Sequence, residues 1–212
     1  MSDVNKECGC SAATEEECCA SCCGNLTETL DALTELVNAI CNCGCNGGPS
    51  LGEEEELDTV MDSDEGNEEF APVASSVYPP YSMWIPFKDT ETTLLYDGWC
   101  GNGPCPQYLG VIAKKDKYVI TQIDITRRGD RAPKEVNLQY RDENDEWHDL
   151  TEIETLEDGP PKSIATIMVP EQPQIVVTGV RVYIHSSYVV SGYPTGPYPV
   201  ISRMQIHGKK VL

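Results

Sequence analysis

The chain has 212 residues and a formal net charge of −20, with 35 acidic against 15 basic residues. That length accommodates one substantial core and a smaller element, and the charge argues against a nucleic-acid ligand, whose phosphates it would repel. No apolar run approaches the roughly 20 residues that a membrane-spanning helix needs. The first 25 residues also lack the basic and apolar segments of a secretory signal.

The charge is unevenly placed. Residues 1–77 carry 18 acidic residues and one basic residue, whereas residues 78–212 carry 17 and 14. An acidic arm therefore precedes a near-neutral domain. The cysteines are uneven too. Nine of the 11 lie in the arm: Cys8, Cys10, Cys18, Cys19, Cys22, Cys23, Cys41, Cys43 and Cys45. Three chemistries remain open for them. Zinc or an iron–sulfur cluster would suit the Cys19-x-x-Cys22 spacing, but the arm has no histidine and adjacent cysteines ligate one ion poorly. Disulfides, within or between chains, suit the doublets, and the odd total leaves one thiol over. Inert thiols are the third reading. Disulfides without an export signal fit a particle assembled in cytosol and oxidised after release, such as a virion. Cys100 and Cys105 enclose a Gly-Asn-Gly-Pro turn that a local disulfide would stiffen.

Residues 25–41 predict a helix. Asn25 can cap it, and Leu26, Leu30, Leu33, Val37 and Ile40 form a seam over two heptads. So short a helix is marginal alone in water. The seam packs either on the C-terminal domain or on copies of itself in a dimer or trimer locked by the flanking cysteines. Residues 1–45 are therefore expected to form a Cys-flanked oligomerisation segment. Residues 46–77, with Glu53–Glu56 and Asp62–Glu69, read as an acidic linker with few residues suited to a core. The acidic cluster lacks the ligand order of a calcium-binding EF-hand loop. No cofactor is expected, with calcium and zinc left open as metal alternatives.

Residues 78–212 read as short strands separated by turns. Tyr118–Thr126 alternates with Val119, Thr121, Ile123 and Ile125 on one face. Glu135–Tyr140 places Val136, Leu138 and Tyr140 inward. Asn144-Asp-Glu is a hairpin turn, after which Trp147 and Leu150 re-enter the core. Ser163–Val169, Val176–Ser186 and Val200–His207 complete the set. The predicted fold class is mainly β, an antiparallel jelly-roll sandwich.

No nucleophile–base set stands out, and His148, His185 and His207 read as ordinary strand residues, so the chain is not expected to be an enzyme. Arg128-Gly129-Asp130 matches an adhesion tripeptide but lies where a Gly-Asp turn is expected anyway. The loop Ser186–Pro199 presents Tyr188, Tyr193 and Tyr198 among glycines and prolines, a surface suited to sugar stacking or a protein interface. With Asp97 and Trp99, these tyrosines are the candidate ligand residues.

Four features, in order, carry a resemblance. They are Leu95-Tyr-Asp-Gly-Trp99; the strand Ile120–Thr126, the Pro133 loop and Val136–Tyr140; an acidic turn before Trp147; and Val180–Ile184 followed by Ile201–Gly208. Together they resemble the discoidin, or factor 5/8 C-type, galactose-binding-like jelly roll. The resemblance implies a sandwich whose loops at one end bind carbohydrate, lipid headgroups or protein. The whole layout resembles a structural protein of a tailed-bacteriophage virion. Such a capsid decoration, neck or fibre element would be assembled in the host cytoplasm and partnered with copies of itself and other virion proteins. The alternative is a carbohydrate-binding module of a secreted or cell-surface protein, with a glycan as its partner.

Overall fold

A computed structural model describes residues 50–89, 98–129, 131–171, 173–188 and 198–212. The expected helix with Leu26, Leu30, Leu33, Val37 and Ile40, and the nine cysteines of the arm, lie outside the described residues. Ser50–Leu212 form one compact unit. Its strands are β1 (Leu51–Glu56), β2 (Phe70–Ala74), β3 (Trp99–Cys100), β4 (Gln107–Ala113), β5 (Tyr118–Thr126), β6 (Pro133–Arg141), β7 (Trp147–Asp149), β8 (Glu154–Thr155), β9 (Ile164–Met168), β10 (Val176–Val177), β11 (Gly179–Ser187), β12 (Val200–Ile201) and β13 (Arg203–Val211).

Two antiparallel sheets face each other. One runs β1-β13-β5-β10, with β9 also on β5. The other runs β2-β4-β11-β6-β7, with β8 also on β6. A short ribbon pairs β12 with β3. The period-two pattern builds the core: Val180, Val182 and Ile184 of β11 interleave with Leu109 and Val111 of β4 and with Val136 and Leu138 of β6, all at most 1% exposed. Ile123, Ile125, Met204 and Ile206 fill the opposing layer. The mainly β antiparallel sandwich is as the sequence predicts. Among the described residues no helix is long and apolar enough to cross a membrane.

The alternation predicted for β5 holds only in its second half. Ile123 and Ile125 point inward, but the pairing with β13 slips between His207 and Gly208, which oppose Gln122 and Ile120. One extra residue at this bulge reverses the parity of everything before it. Tyr118 and Ile120 therefore join the core, while Thr121 points outward and donates to Glu54 Oε1 at 2.8 Å.

The expected linker 46–77 is, over its described residues, part of the sandwich. β1 pairs with β13 along one sheet edge and β2 with β4 along the other. Leu57, Met61 and Phe70 are at most 5% exposed in the core. The glutamates of β1 are tolerated because this is an edge strand with its carboxylates in water, and Lys209 of β13 lies 3.8 Å from Glu54. The acidic turn that follows is pinned by Asn67. Its side-chain nitrogen donates to the carbonyls of Asp58 and Val60, and its oxygen accepts from the amides of Glu69 and Phe70.

Trp147 also departs from expectation. Leu150 packs on the core, but Trp147 pairs with Arg141 across the β6–β7 hairpin and lies on the outer face of its sheet, its ring 4.1 Å from the Arg181 guanidinium.

Candidate functional site

Both ends of the unit meet at one pole, where the Leu212 amide donates to the Ser50 carbonyl at 2.8 Å. The opposite pole gathers the described ends of the β2–β3, β3–β4, β5–β6, β8–β9 and β11–β12 loops, with Tyr188 and Tyr198 in them and Trp99 beside them.

Trp99 anchors this pole from inside. It is 0% exposed, and its Nε1 donates to the Ser76 carbonyl at 2.7 Å. A buried indole offers no face to a ligand, so its expected part in a binding surface is corrected to a structural one. Gly98 just before it has φ of 129°, and a Cβ there would lie 2.5 Å from the Ile201 carbonyl oxygen, so only glycine lets β3 approach β12 this closely. Ser76 Oγ donates to Gln107 Oε1 at 2.6 Å and accepts from the Asn102 amide at 2.8 Å. The Tyr78 amide donates to the Cys100 carbonyl, the Gly101 amide to Pro199 and the Val200 amide to Arg131. These bonds tie four of the loops into one frame. Arg127 joins the fifth: its guanidinium donates to Ser163 Oγ and to the Glu157 carbonyl, at 3.0 and 2.6 Å.

On this frame sits an aromatic group. The rings of Tyr78 and Tyr198 lie 5.9 Å apart at 31°, and Tyr78 is 43% exposed. Tyr81 packs with Cys100 and Val200 in a satellite cluster that Tyr198 covers. The half-buried Arg128 guanidinium lies 5.8 Å from the Tyr81 ring centre and donates to its hydroxyl. Tyr188 is turned to another task. Its hydroxyl donates to the Leu156 carbonyl at 2.7 Å, bracing the β8 segment. Asp97 and Tyr193 lie outside the described residues. Of the five candidates, then, Tyr198 joins the aromatic surface, while Trp99 and Tyr188 brace the frame. Arg128 was singled out only within the adhesion-like tripeptide, and Tyr78 and Tyr81 were not foreseen. The one signal for them was the Tyr-Pro-Pro-Tyr sequence at 78–81, whose cis Pro79–Pro80 bond turns the chain back at the entrance to the pole.

Cys100 and Cys105 are not bridged. Cys100 is a buried thiol within the satellite cluster, and Cys105 packs against the main core. Burial raises the Cys105 thiol above its ordinary pKa, opposed by a hydrogen bond with Ser187, so it stays protonated and slow to react. In a fragment of residues 50–212, which contains only these two cysteines, neither thiol is expected to react with Ellman's reagent in the folded state at pH 8. Both should react on addition of denaturant. Prompt release of one equivalent of chromophore from the folded protein would contradict this placement.

The histidines are strand or strand-edge residues with polar partners, as expected. Their ring nitrogens lie 3.0 Å from Asp142 (His148), 2.9 Å from Asn137 (His185) and 3.2 Å from Asp124 (His207). Among the described residues, Asp142, Glu146 and His148 form the one group with metal-ligand atoms close together, within 4.8 Å. Asp142 is already committed there: its carboxylate accepts from the amides of Glu146 and Asn144, which close the hairpin turn and, with His148, hold it below the usual carboxylate pKa. Gly129 of the adhesion-like tripeptide sits at φ 101° in an exposed turn, and Asp130 lies outside the described residues.

No protein-family model and no curated protein matches the sequence. Solved structures do match the fold. The family 32 carbohydrate-binding module of Clostridium perfringens NanJ, solved in complex with galactose, superposes with a TM-score of 0.55 at 14% identity, over 73% of this chain and 99% of that one. A second family 32 module, from a family 31 glycoside hydrolase of the same organism, gives 0.55 at 15% identity, over 72% and 94%. Another C. perfringens family 32 module, in complex with GalNAc-β-1,3-galactose, gives 0.51 at 12%, over 65% and 94%. The fold is the discoidin-type, galactose-binding-like β-sandwich.

Proposed function

We propose that residues 50–212 form a non-catalytic carbohydrate-binding module of a secreted or cell-surface protein, with its glycan site at the loop pole. The observation that carries this reading is the surface built by Tyr78, Tyr198 and Arg128 over the buried Tyr81, on a fold whose solved counterparts include modules bound to galactose and to GalNAc-β-1,3-galactose. Aromatic faces bury the C–H side of a sugar ring, and a fixed guanidinium donates to its hydroxyls. A frame already ordered by backbone and side-chain bonds loses little freedom on binding. The carbohydrate-binding modules that share this fold support the alternative reading better than the virion role, and it takes that role's place. No cofactor enters this reading.

The 50–212 fragment should bind a galactose-containing oligosaccharide in isothermal titration calorimetry. Tyr198→Ala and Arg128→Ala should each weaken that binding about tenfold or more, roughly 1.4 kcal/mol. If a broad glycan array shows no binding, or both variants bind as the parent does, the proposed site is wrong.

A further inference from the structure

The outer face of the second sheet carries a built cluster that the loop-pole site does not use. Arg181 projects from β11 between the buried Val180 and Val182. Its cross-strand neighbours are Gly110 on β4 and Gln139 on β6. A Cβ at Gly110 would lie 2.1 Å from the Val180 carbonyl oxygen, so no side chain can stand beside Arg181 there. The guanidinium instead lies 4.1 Å from the ring centres of both Tyr108 and Trp147, and 5.8 Å from that of Tyr183.

A hydrogen-bonded chain extends from it along the face. Arg181 Nε donates to Gln139 Oε1 at 2.8 Å. Gln139 Nε2 donates to Asp149 Oδ1 at 2.9 Å, and Asn137 Nδ2 donates to the same oxygen at 2.7 Å. His185 Nε2 lies 2.9 Å from Asn137 Oδ1, and its ring packs edge-on at 5.0 Å against Tyr183. Asn137 is 2% exposed, so the chain is fixed from below. Its two ends are left open. Among the described residues neither Nη of Arg181 donates to a protein acceptor, and Asp149 Oδ2 accepts from none.

This arrangement selects a kind of ligand. Two rings hold the planar guanidinium in one orientation, so its donors are preorganised. Near them stands a carboxylate, which only accepts, kept ionised by its bonds from Gln139 and Asn137. The two charges cancel, so the patch is strongly polar without attracting an anion. Adjacent hydroxyls of a sugar both accept and donate, and so can satisfy such a pair together. The flanking rings of Trp147 and Tyr183 supply apolar contact for the C–H groups beside those hydroxyls.

We propose that this sheet face is a second saccharide site, which binds a neutral sugar with adjacent hydroxyls bridging Arg181 and Asp149. The proposal rests on the glycan-binding reading and adds to it a site remote from the loop pole. It predicts two sites per chain, and that avidity for a glycan chain or surface exceeds the affinity of either site.

The test is an NMR titration of ¹⁵N-labelled 50–212 fragment with galactose, GalNAc-β-1,3-galactose and a panel of other neutral disaccharides. The Trp147 indole and Arg181 Nε–H signals should shift on addition of a neutral sugar. Arg181→Lys, which keeps the charge but loses the fork and the stack, and Asp149→Asn should each weaken that response about tenfold or more, with the shifts of the Gly101 and Val200 amides at the loop pole unchanged. The unperturbed remainder of each spectrum shows that the variant is folded. Shifts confined to the loop pole would overturn the second site and leave the glycan-binding reading standing. A response at Trp147 only to acidic sugars would overturn the neutral-ligand assignment. No response to any sugar would overturn both.

Discussion

Trp99→Ala should be the most damaging single substitution in the unit. The side chain is wholly buried and its indole bond to Ser76 is internal. Removing it leaves a large cavity and an unpaired carbonyl, which together cost about 3–5 kcal/mol. For a domain whose whole stability is on the order of 5–15 kcal/mol, that is a substantial fraction. The loss should also be local in its consequences. β3 pairs with β12 at the base of the loop pole, so Tyr78 and Tyr198 should lose their mutual position even where the sheets persist. Urea unfolding followed by tyrosine fluorescence and far-ultraviolet circular dichroism measures the first effect, and glycan titration the second. A midpoint within experimental error of the parent would show that Trp99 is not the anchor described.

The second large effect concerns the start of the domain. A fragment beginning at residue 78 should not fold, whereas one beginning at Ser50 should. The shorter fragment lacks β1, β2 and the buried Leu57, Met61 and Phe70. Each of these side chains contributes about 1.5–3 kcal/mol by burial. Their loss also opens apolar surface on both sheets and bares the long edges of β13 and β4, which invites aggregation. A dispersed ¹H–¹⁵N spectrum from the 50–212 fragment, and a collapsed spectrum or precipitate from 78–212, is the expected pair of results. A well-dispersed spectrum from 78–212 would mean that the acidic stretch only decorates the sandwich.

These two expectations bear on what could be read from the residues. The inner strands were legible because Val136-Asn-Leu and Val180-Arg-Val-Tyr-Ile alternate cleanly between a dry face and a wet one. β1 was not, because an edge strand of four consecutive glutamates has no alternation to read. Its place depends on hydrogen bonds to β13, some 150 positions away, and no local pattern encodes a partner so distant. The linker reading weighed charge and missed three anchors, Leu57, Met61 and Phe70, set apart from one another by turn residues.

The two tryptophans exchanged roles for a related reason. Trp99 follows an Asp-Gly pair and looks like a loop residue, yet the ribbon with β12 draws it inward. Trp147 looks like a core residue by size alone. Its partner across the hairpin is Arg141, one residue beyond the inward Tyr140. Parity alone therefore placed Trp147 outside, had the hairpin register been counted. The aromatic surface at the loop pole was less accessible still. Tyr78 and Tyr198 lie 120 residues apart in sequence and meet only because β3 and β12 pair between them.

The bond between Leu212 and Ser50 has a mechanical consequence. β1 and β13 are antiparallel, and Leu51 faces Val211 at the pole where both ends of the unit emerge. Tension applied across those two ends would open the pair one rung at a time, as a zipper opens, with little resistance. A pull between either end and a ligand held at the opposite pole would instead run along the strands. It would load many rungs at once, in shear. The same sandwich is thus weak along one axis of force and strong along the other, and the strong axis is the one that a tethered grip on a distant ligand would use.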